Sequence, residues 1–208
     1  MLEYEQKAKA KGFSLIIGVD EAGRGPLAGP VTACAVSVRT YPFTNKIRDS
    51  KKLSAIERER AFFEILDKAY VGIGIMSEAV IDAINILRAT HAAMSWAVRD
   101  VICRISKIKN PQPNFNEQVC LLIDGNSFKS DLDYRYETII RGDEFVFSIA
   151  CASIVAKVVR DRIMNIYDKV FPLYGFSRHK GYPTPEHRQI LKKAGPSLIH
   201  RKTFNLNS

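Results

Sequence analysis

Apolar positions along the chain fall into short unbroken runs and longer periodic stretches, and the two predict different elements. Ser14–Asp20 (SLIIGVD) and Pro30–Arg39 are continuous apolar runs bounded by turn signals, Gly25-Pro26 and Gly29-Pro30 lying between them, and both predict buried strands. Tyr70–Met76 predicts a third strand, weakened by Gly72 and Gly74. Gln118–Ile123 predicts another, running into Asp124-Gly125-Asn126, and Tyr134–Ile140 a shorter one that ends at Arg141-Gly142-Asp143. Leu53–Lys68 reads as a helix with Ser54 placed to cap it, and Ser77 can cap a long helical stretch reaching toward Ile105, in one piece or two. Val155, Val159, Ile163, Ile166 and Val170 recur at helical spacing and predict one apolar face. That helix opens on the small residues Ala150, Cys151, Ala152 and Ser153, which suit close packing on a sheet. A last helix starts after Pro185, and 109–114 (KNPQPN) is a loop by composition. Strands, then helices, interleaved in this way predict a mixed α/β fold around one central sheet.

Length and composition narrow the class. At 208 residues, against roughly 150 per domain, the chain reads as a single domain over 1–208, and no repeat or Gly/Ser linker divides it. Hydrophobic residues make up 46% and charged residues 25%, which excludes a disordered tail, a collagen-like repeat or a disulfide scaffold. No apolar run approaches the ~20 residues of a membrane span, and the charged N-terminus lacks a secretory apolar core. Cys34, Cys103, Cys120 and Cys151 lie far apart among apolar neighbours, with no zinc-type spacing to the histidines; they read as buried free thiols. A soluble, cytoplasmic, monomeric protein is the expectation. The excess of 31 Lys and Arg over 22 Asp and Glu, a net charge of +9, favours an anionic partner, nucleic acid first.

The acids carry the chemistry. Asp20 and Glu21 end one buried strand, Asp124 ends another, and Asp143 follows a third. An acid at the mouth of an apolar strand is costly unless it is paired, hydrogen-bonded or metal-bound. Several of them meeting at one sheet edge repel unless a cation sits among them, and an all-oxygen donor set suits Mg²⁺ or Mn²⁺. Two such ions about 4 Å apart are able to drive phosphodiester hydrolysis. In a straight strand Asp20 and Glu21 point to opposite faces, so Glu21 must either turn with Gly23, Gly25 and Pro26 or offer its backbone carbonyl. No Ser–His–Asp order or phosphate-cradling P-loop stands out.

Residues 20–30, Asp-Glu-Ala-Gly-Arg-Gly-Pro-Leu-Ala-Gly-Pro, closely resemble the signature of bacterial ribonuclease HII, the type 2 ribonuclease H family. The resemblance continues in Asp49-Ser50-Lys51-Lys52-Leu53, Asp124-Gly125-Asn126, Gly142-Asp143, Ala152–Val158 with Arg160-Asp161-Arg162, and His179-Lys180-Gly181-Tyr182. These motifs keep the family's order from about residue 14 to 204. What it implies is a ribonuclease H-like fold: a five-stranded mixed sheet flanked by helices, with a helical C-terminal part over roughly 172–208. It also implies an endonuclease that cuts the RNA strand of RNA–DNA hybrids, including single ribonucleotides in duplex DNA. The cut falls 5′ of the ribonucleotide, leaving a 3′-hydroxyl and a 5′-phosphate. The family carboxylates map onto Asp20, Glu21, Asp124 and Asp143, which would hold two ions, Mg²⁺ or Mn²⁺.

Gly23-Arg24-Gly25 resembles the family's backbone reader of the 2′-hydroxyl, the group that separates RNA from DNA, and Tyr182 the tyrosine that packs on the sugar at the RNA–DNA junction. Lys51, Lys52, Arg178, His179, Lys180 and Lys202 are candidate phosphate contacts. Lys157 lies early in its helix and can point toward the acids. Asp161 competes as a ligand but reads as a structural ion-pair residue, and His91 and Trp96 read as packing residues. Arg141 stands where the family often has lysine, and Glu144 adds an acid beside Asp143. The sister type, ribonuclease HIII, adds an N-terminal substrate-binding domain for which this chain leaves no room. The other reading is a non-catalytic module that binds RNA–DNA hybrids.

Overall fold

The computed structural model describes residues 1–108 and 115–206; the loop expected at 109–114 lies outside them. In chain order its elements are α1 (Glu3–Ala10), β1 (Leu15–Ala22), β2 (Val31–Val38), α2 (Ala55–Lys68), β3 (Ala69–Met76), α3 (Glu78–Ile84), α4 (Ile86–Ile108), β4 (Val119–Asp124), β5 (Arg135–Ile139), α5 (Gly142–Phe145), α6 (Phe147–Val170), α7 (Phe176–His179) and α8 (Pro185–Ala194). The strands form one mixed sheet in the order β3-β2-β1-β4-β5. β1 pairs antiparallel with β2 and parallel with β4, and β5 is parallel to β4. The sheet is the expected five-stranded mixed one, flanked by helices.

Period-2 alternation of β1 sorts the two faces. Leu15, Ile17 and Val19 join Val31, Ala33 and Ala35 of β2 in a core built with α4. On the other face Cys34 and Val36 pack with α2 and the small, fully buried start of α6, while Ile16 packs beside Ile149. Glycines let both helices come down onto the sheet. A Cβ at Gly18 would lie 2.2 Å from the backbone carbon of Ser148 in α6, and one at Gly74 would lie 1.9 Å from the carbonyl of Ala93 in α4. Gly72 and Gly74 therefore do not weaken β3; they are what lets α4 cross it. Gly18→Ala is expected to cost about 2–3 kcal/mol through overpacking against helix backbone, read as a lower urea midpoint at unchanged slope.

Several local signals hold. Ser54 and Glu57 form a reciprocal capping box on α2, and Thr184 caps α8 with Pro185 in its first turn. The long helical stretch after Ser77 breaks at Asn85, whose φ is +68° and whose side chain accepts from the Arg88 N–H. Four expectations need correction. α6 starts at Phe147, and of its expected stripe Val155 is buried while Ile166 and Val170 are exposed, because the C-terminal half of the helix buries Arg160 and Met164 instead. Cys103 is exposed, unlike the other three thiols, since it sits on the outer side of α4. Trp96 is exposed too, with the Arg99 guanidinium 6.0 Å from its ring centre. The chain after α8 returns across the 23–30 loop as irregular backbone, not as helix.

α1 was not legible in the apolar pattern, being mostly polar. Its buried Glu5 carboxylate accepts from both the N–H and the hydroxyl of Ser148, satisfying the start of α6. Among the described residues no helix is long and apolar enough to cross a membrane.

Candidate active site

β1 and β4 run parallel, so their carboxyl ends open together on one edge of the sheet, the usual place for a ligand crevice in such sheets. Their pairing ends at Val19 opposite Ile123, immediately before Asp20 and Asp124. β1 nonetheless continues straight through Ala22, paired there only with β2. Glu21 thus stands where β4 no longer flanks it, and its longer side chain rounds the end of the sheet. The acids separated by strand alternation consequently converge: Asp20, Glu21 and Asp124 each present a carboxylate oxygen, all within 4.8 Å of one another.

The cluster lies in a cleft of about 610 Å³ that also holds Asp143, Gly23, Arg24, Gly25, Lys51, Lys157 and Tyr182. The four acids, Gly23–Gly25, Lys51 and Tyr182 thus share one cleft, while Lys52, Asp161, Arg178, His179, Lys180 and Lys202 do not line it. Asp143, on the short helix α5, is in the cleft but outside the tight trio.

Each acid is held by local structure. Asp20 accepts from the Glu21 N–H at 2.7 Å. Asp124 accepts from the Gly142 N–H at 2.7 Å, so the turn after β5 orients the carboxylate at the end of β4. A Cβ at Gly142 would lie 2.6 Å from Ile149 Cδ1 and 3.3 Å from the Asp124 carboxylate, so a larger residue there would press on the Ile149 tip and on the acid that this turn orients. Glu21 takes a 3.3 Å bond from Arg24. Near Asp20, the hydroxyls of Ser50 and Ser153 meet at 3.0 Å and pin the 49–53 segment to α6.

Electrostatics follow from crowding. Burial, then the charges of Glu21 and Asp124, push the Asp20 carboxyl well above the ordinary carboxylate range. Burial also raises Glu21, with Asp124 adding to it and Arg24 opposing, and raises Asp143, with Asp124 and Asp49 adding. Three acids pushed up together form a site short of positive charge. A divalent cation supplies that charge, and hard carboxylate oxygens are the donors Mg²⁺ and Mn²⁺ prefer, so the residues present fit such an ion.

The remaining candidates separate. Glu144 is drawn below its usual range by Arg141 and Lys52, at 2.6 and 3.1 Å. It is an ion-paired acid at the rim. Asp161 pairs with Lys157 at 2.8 Å, an i,i+4 bridge on α6. Arg178 pairs with Glu186, and Lys180 donates to Asn165 and to the Ser177 carbonyl. His179 is buried, its Nε2 2.8 Å from the Tyr174 carbonyl, so it is not a phosphate contact. His91 is buried, as expected.

Two residues missed as functional organise the cleft from behind. Arg160 donates to the carbonyls of Pro30, Lys180 and Ala28. Arg201 donates to those of Gly29, Arg24, Gly23 and Pro30. Both side chains are fully buried, and among the described residues neither has a carboxylate at ion-pair distance. Because Arg201 takes the carbonyls of Gly23 and Arg24, trans peptide geometry turns the N–H groups of Arg24 and Gly25 away from it. Gly23, at φ +100°, has no room for a Cβ: Arg160 Nε would be 2.1 Å away. Tyr182 is 40% exposed, its ring 5.8 Å from the Arg160 guanidinium, and a Cβ at Gly25 would sit 3.7 Å from it. Arginines bonded only to distant carbonyls leave no mark in the local sequence.

Comparison with known proteins supplies the family and the fold. The ribonuclease HII family model matches residues 17–207. The chain is 47% identical over 208 residues to the ribonuclease HII of Acetivibrio thermocellus, covering all of this chain and 76% of that one. To the ribonuclease HII of Bacillus subtilis it is 44% identical over 205 residues, covering 98% of this chain and 74% of that one. Among solved structures, the ribonuclease H2 from Pyrococcus horikoshii OT3 superposes with a TM-score of 0.68 at 21% identity, over 93% of this chain and 95% of that one. Bst-RNase HIII in complex with Mn²⁺ gives 0.66 at 18% identity, over 96% and 70%.

Proposed function

The chain belongs to the ribonuclease HII family of metal-dependent type 2 ribonuclease H endonucleases, and on that premise we propose that it cuts RNA–DNA hybrids and single ribonucleotides embedded in duplex DNA, 5′ of the ribonucleotide. The observation that carries the reading is one cleft holding Asp20, Glu21, Asp124 and Asp143 beside Gly23–Gly25 and Tyr182. Asp20, Glu21 and Asp124 would hold the divalent metal, and Asp143 would complete a second position. Bound there, two ions, Mg²⁺ or Mn²⁺, supply charge for an activated water and for the leaving 3′-oxygen.

The chain's own residues do the rest. Asp124, oriented by the Gly142 N–H, and Asp20, oriented by the Glu21 N–H, keep their free oxygens aimed into the cleft. The Arg24 and Gly25 N–H groups, which point away from Arg201 because it holds the Gly23 and Arg24 carbonyls, donate to the 2′-hydroxyl of the ribonucleotide. Tyr182 packs on the sugar next to it, where a deoxyribose is accepted. Lys51, on the cleft wall, contacts substrate phosphate. The products carry a 3′-hydroxyl and a 5′-phosphate. The enzyme works as one monomeric domain over 1–208.

The test is cleavage of an end-labelled DNA duplex with one internal ribonucleotide, in Mg²⁺, Mn²⁺ or EDTA, beside an all-DNA duplex. The expected result is one metal-dependent cut 5′ of the ribonucleotide and an untouched control. Equal cutting of the all-DNA duplex overturns the ribose-reading assignment. Binding without any cut overturns the catalytic one in favour of a hybrid-binding module.

A further inference from the structure

Three buried histidines lie directly behind Tyr182. His179 and His187 stack with ring centres 4.2 Å apart. His187 Nε2 is 3.0 Å from His200 Nε2, and His187 Nδ1 is 2.9 Å from the carbonyl of Tyr182. At the far end the Ser197 N–H donates to His200 Nδ1 at 2.8 Å.

These partners determine the protons. A backbone N–H can only donate, so His200 Nδ1 is the acceptor and its Nε2–H donates to His187. His187 Nε2 is then an acceptor as well, leaving Nδ1–H to donate to the Tyr182 carbonyl. By the same logic the Gly181 N–H, 3.1 Å from His179 Nδ1, makes His179 donate through Nε2 to Tyr174. All three rings are neutral in this arrangement, and burial holds His187 and His200 below the usual histidine range, His200 at about 4.

The chain of bonds joins both sides of the cleft. It starts from His200, whose neighbour Arg201 clamps the Gly23 and Arg24 carbonyls, and it ends on the main chain of Tyr182. We propose that His187 is a positioning residue for substrate choice: through the hydrogen bond from its Nδ1–H to the Tyr182 carbonyl, with His200 fixing the tautomer that makes Nδ1 the donor, it sets Tyr182 against Gly23–Gly25 and thereby sustains cleavage at a lone ribonucleotide–DNA junction. The inference rests on the reading of Tyr182 as the residue that meets the junction sugar.

Two near-isosteric variants separate the links. His187→Asn places an amide at the Nδ1 position and keeps the donor to Tyr182 while dropping the link to His200. His187→Gln reaches the Nε2 position, keeps a partner for His200 and loses the donor to Tyr182. The ratio of kcat/KM on a DNA duplex with one ribonucleotide to kcat/KM on an all-RNA/DNA hybrid is measured for each, with circular dichroism and melting temperature confirming that both fold.

The Gln variant should lower that ratio roughly 10-fold, the scale of a displaced positioning group, and the Asn variant should stay within about 3-fold of wild type. Identical behaviour of the two variants, whether both lose the preference or both keep it, overturns the inference, because a purely structural histidine would not distinguish them. Tyr182→Ala is run alongside. If it leaves the ratio unchanged, the reading of Tyr182 itself fails. If it lowers the ratio while the Gln variant does not, only the role of His187 fails.

Discussion

Asp20→Asn and Asp124→Asn are each expected to lower kcat on the order of 10³-fold or more, measured on the single-ribonucleotide duplex in Mg²⁺, with folding intact. Asparagine keeps Oδ1, so the bonds from the Glu21 and Gly142 N–H groups survive while the metal-holding charge is gone. For Asp20 the effect on stability runs the other way. A buried acid whose carboxyl is pushed above its unfolded value destabilises the folded state wherever the unfolded chain is ionised, that is, above about pH 4. Removing that charge therefore stabilises the metal-free protein, by about 1–2 kcal/mol, a melting temperature some 2–8 °C higher in EDTA at pH 7. In saturating Mg²⁺ the advantage shrinks, since metal binding stabilises the wild type more than the variant. A dead variant that is also less stable in EDTA would contradict the account of Asp20 as a strained ligand.

Arg201→Ala should have the largest effect on stability. It strands the carbonyls of Gly23, Arg24 and Gly29 and takes one of two donors from that of Pro30, all within the fold. Losing charge-assisted bonds and leaving buried acceptors unmet costs about 4 kcal/mol, roughly 10 °C in melting temperature. Arg201→Lys should recover less than half of this, because a single ammonium cannot reach the acceptors that the planar fork spans. Any folded fraction should show weakened preference for ribonucleotide over all-DNA substrate, since the Arg24 and Gly25 N–H groups lose their backing. Wild-type stability in Arg201→Ala would show that water satisfies these carbonyls and that the arginine is not the clamp.

Elements with a local cause were readable in advance. The strands ending at Asp20 and Asp124 follow from unbroken apolar runs, and α2 from Ser54 and Glu57, three residues apart. Where a local rule misled, a distant neighbour was responsible. Gly72 and Gly74 look like strand breakers until α4 is placed across them. Trp96, Ile166 and Val170 look like core until the inner side of their helices is filled by other residues. α1 carries no apolar pattern of its own, and its place is fixed where Glu5 meets Ser148, 143 residues away.

The candidate site divides along the same line. Sequence alone singled out the residues proposed to carry the chemistry: the four acids, the Gly23–Gly25 turn and Tyr182 stand in motifs whose order and residue types are specific. It also determined that acids at strand ends want a cation, because strand length and charge are local properties. Only the tertiary structure decided how Glu21 joins Asp20 despite strand alternation, through the end of β1–β4 pairing at Val19 and Ile123. It alone decided that Arg160 and Arg201 gather the carbonyls of the 23–30 loop and that His187 links His200 to the Tyr182 carbonyl. Burial of a charge, stacking of rings and the direction of a peptide N–H are set by residues far apart along the chain, and no spacing within it encodes them.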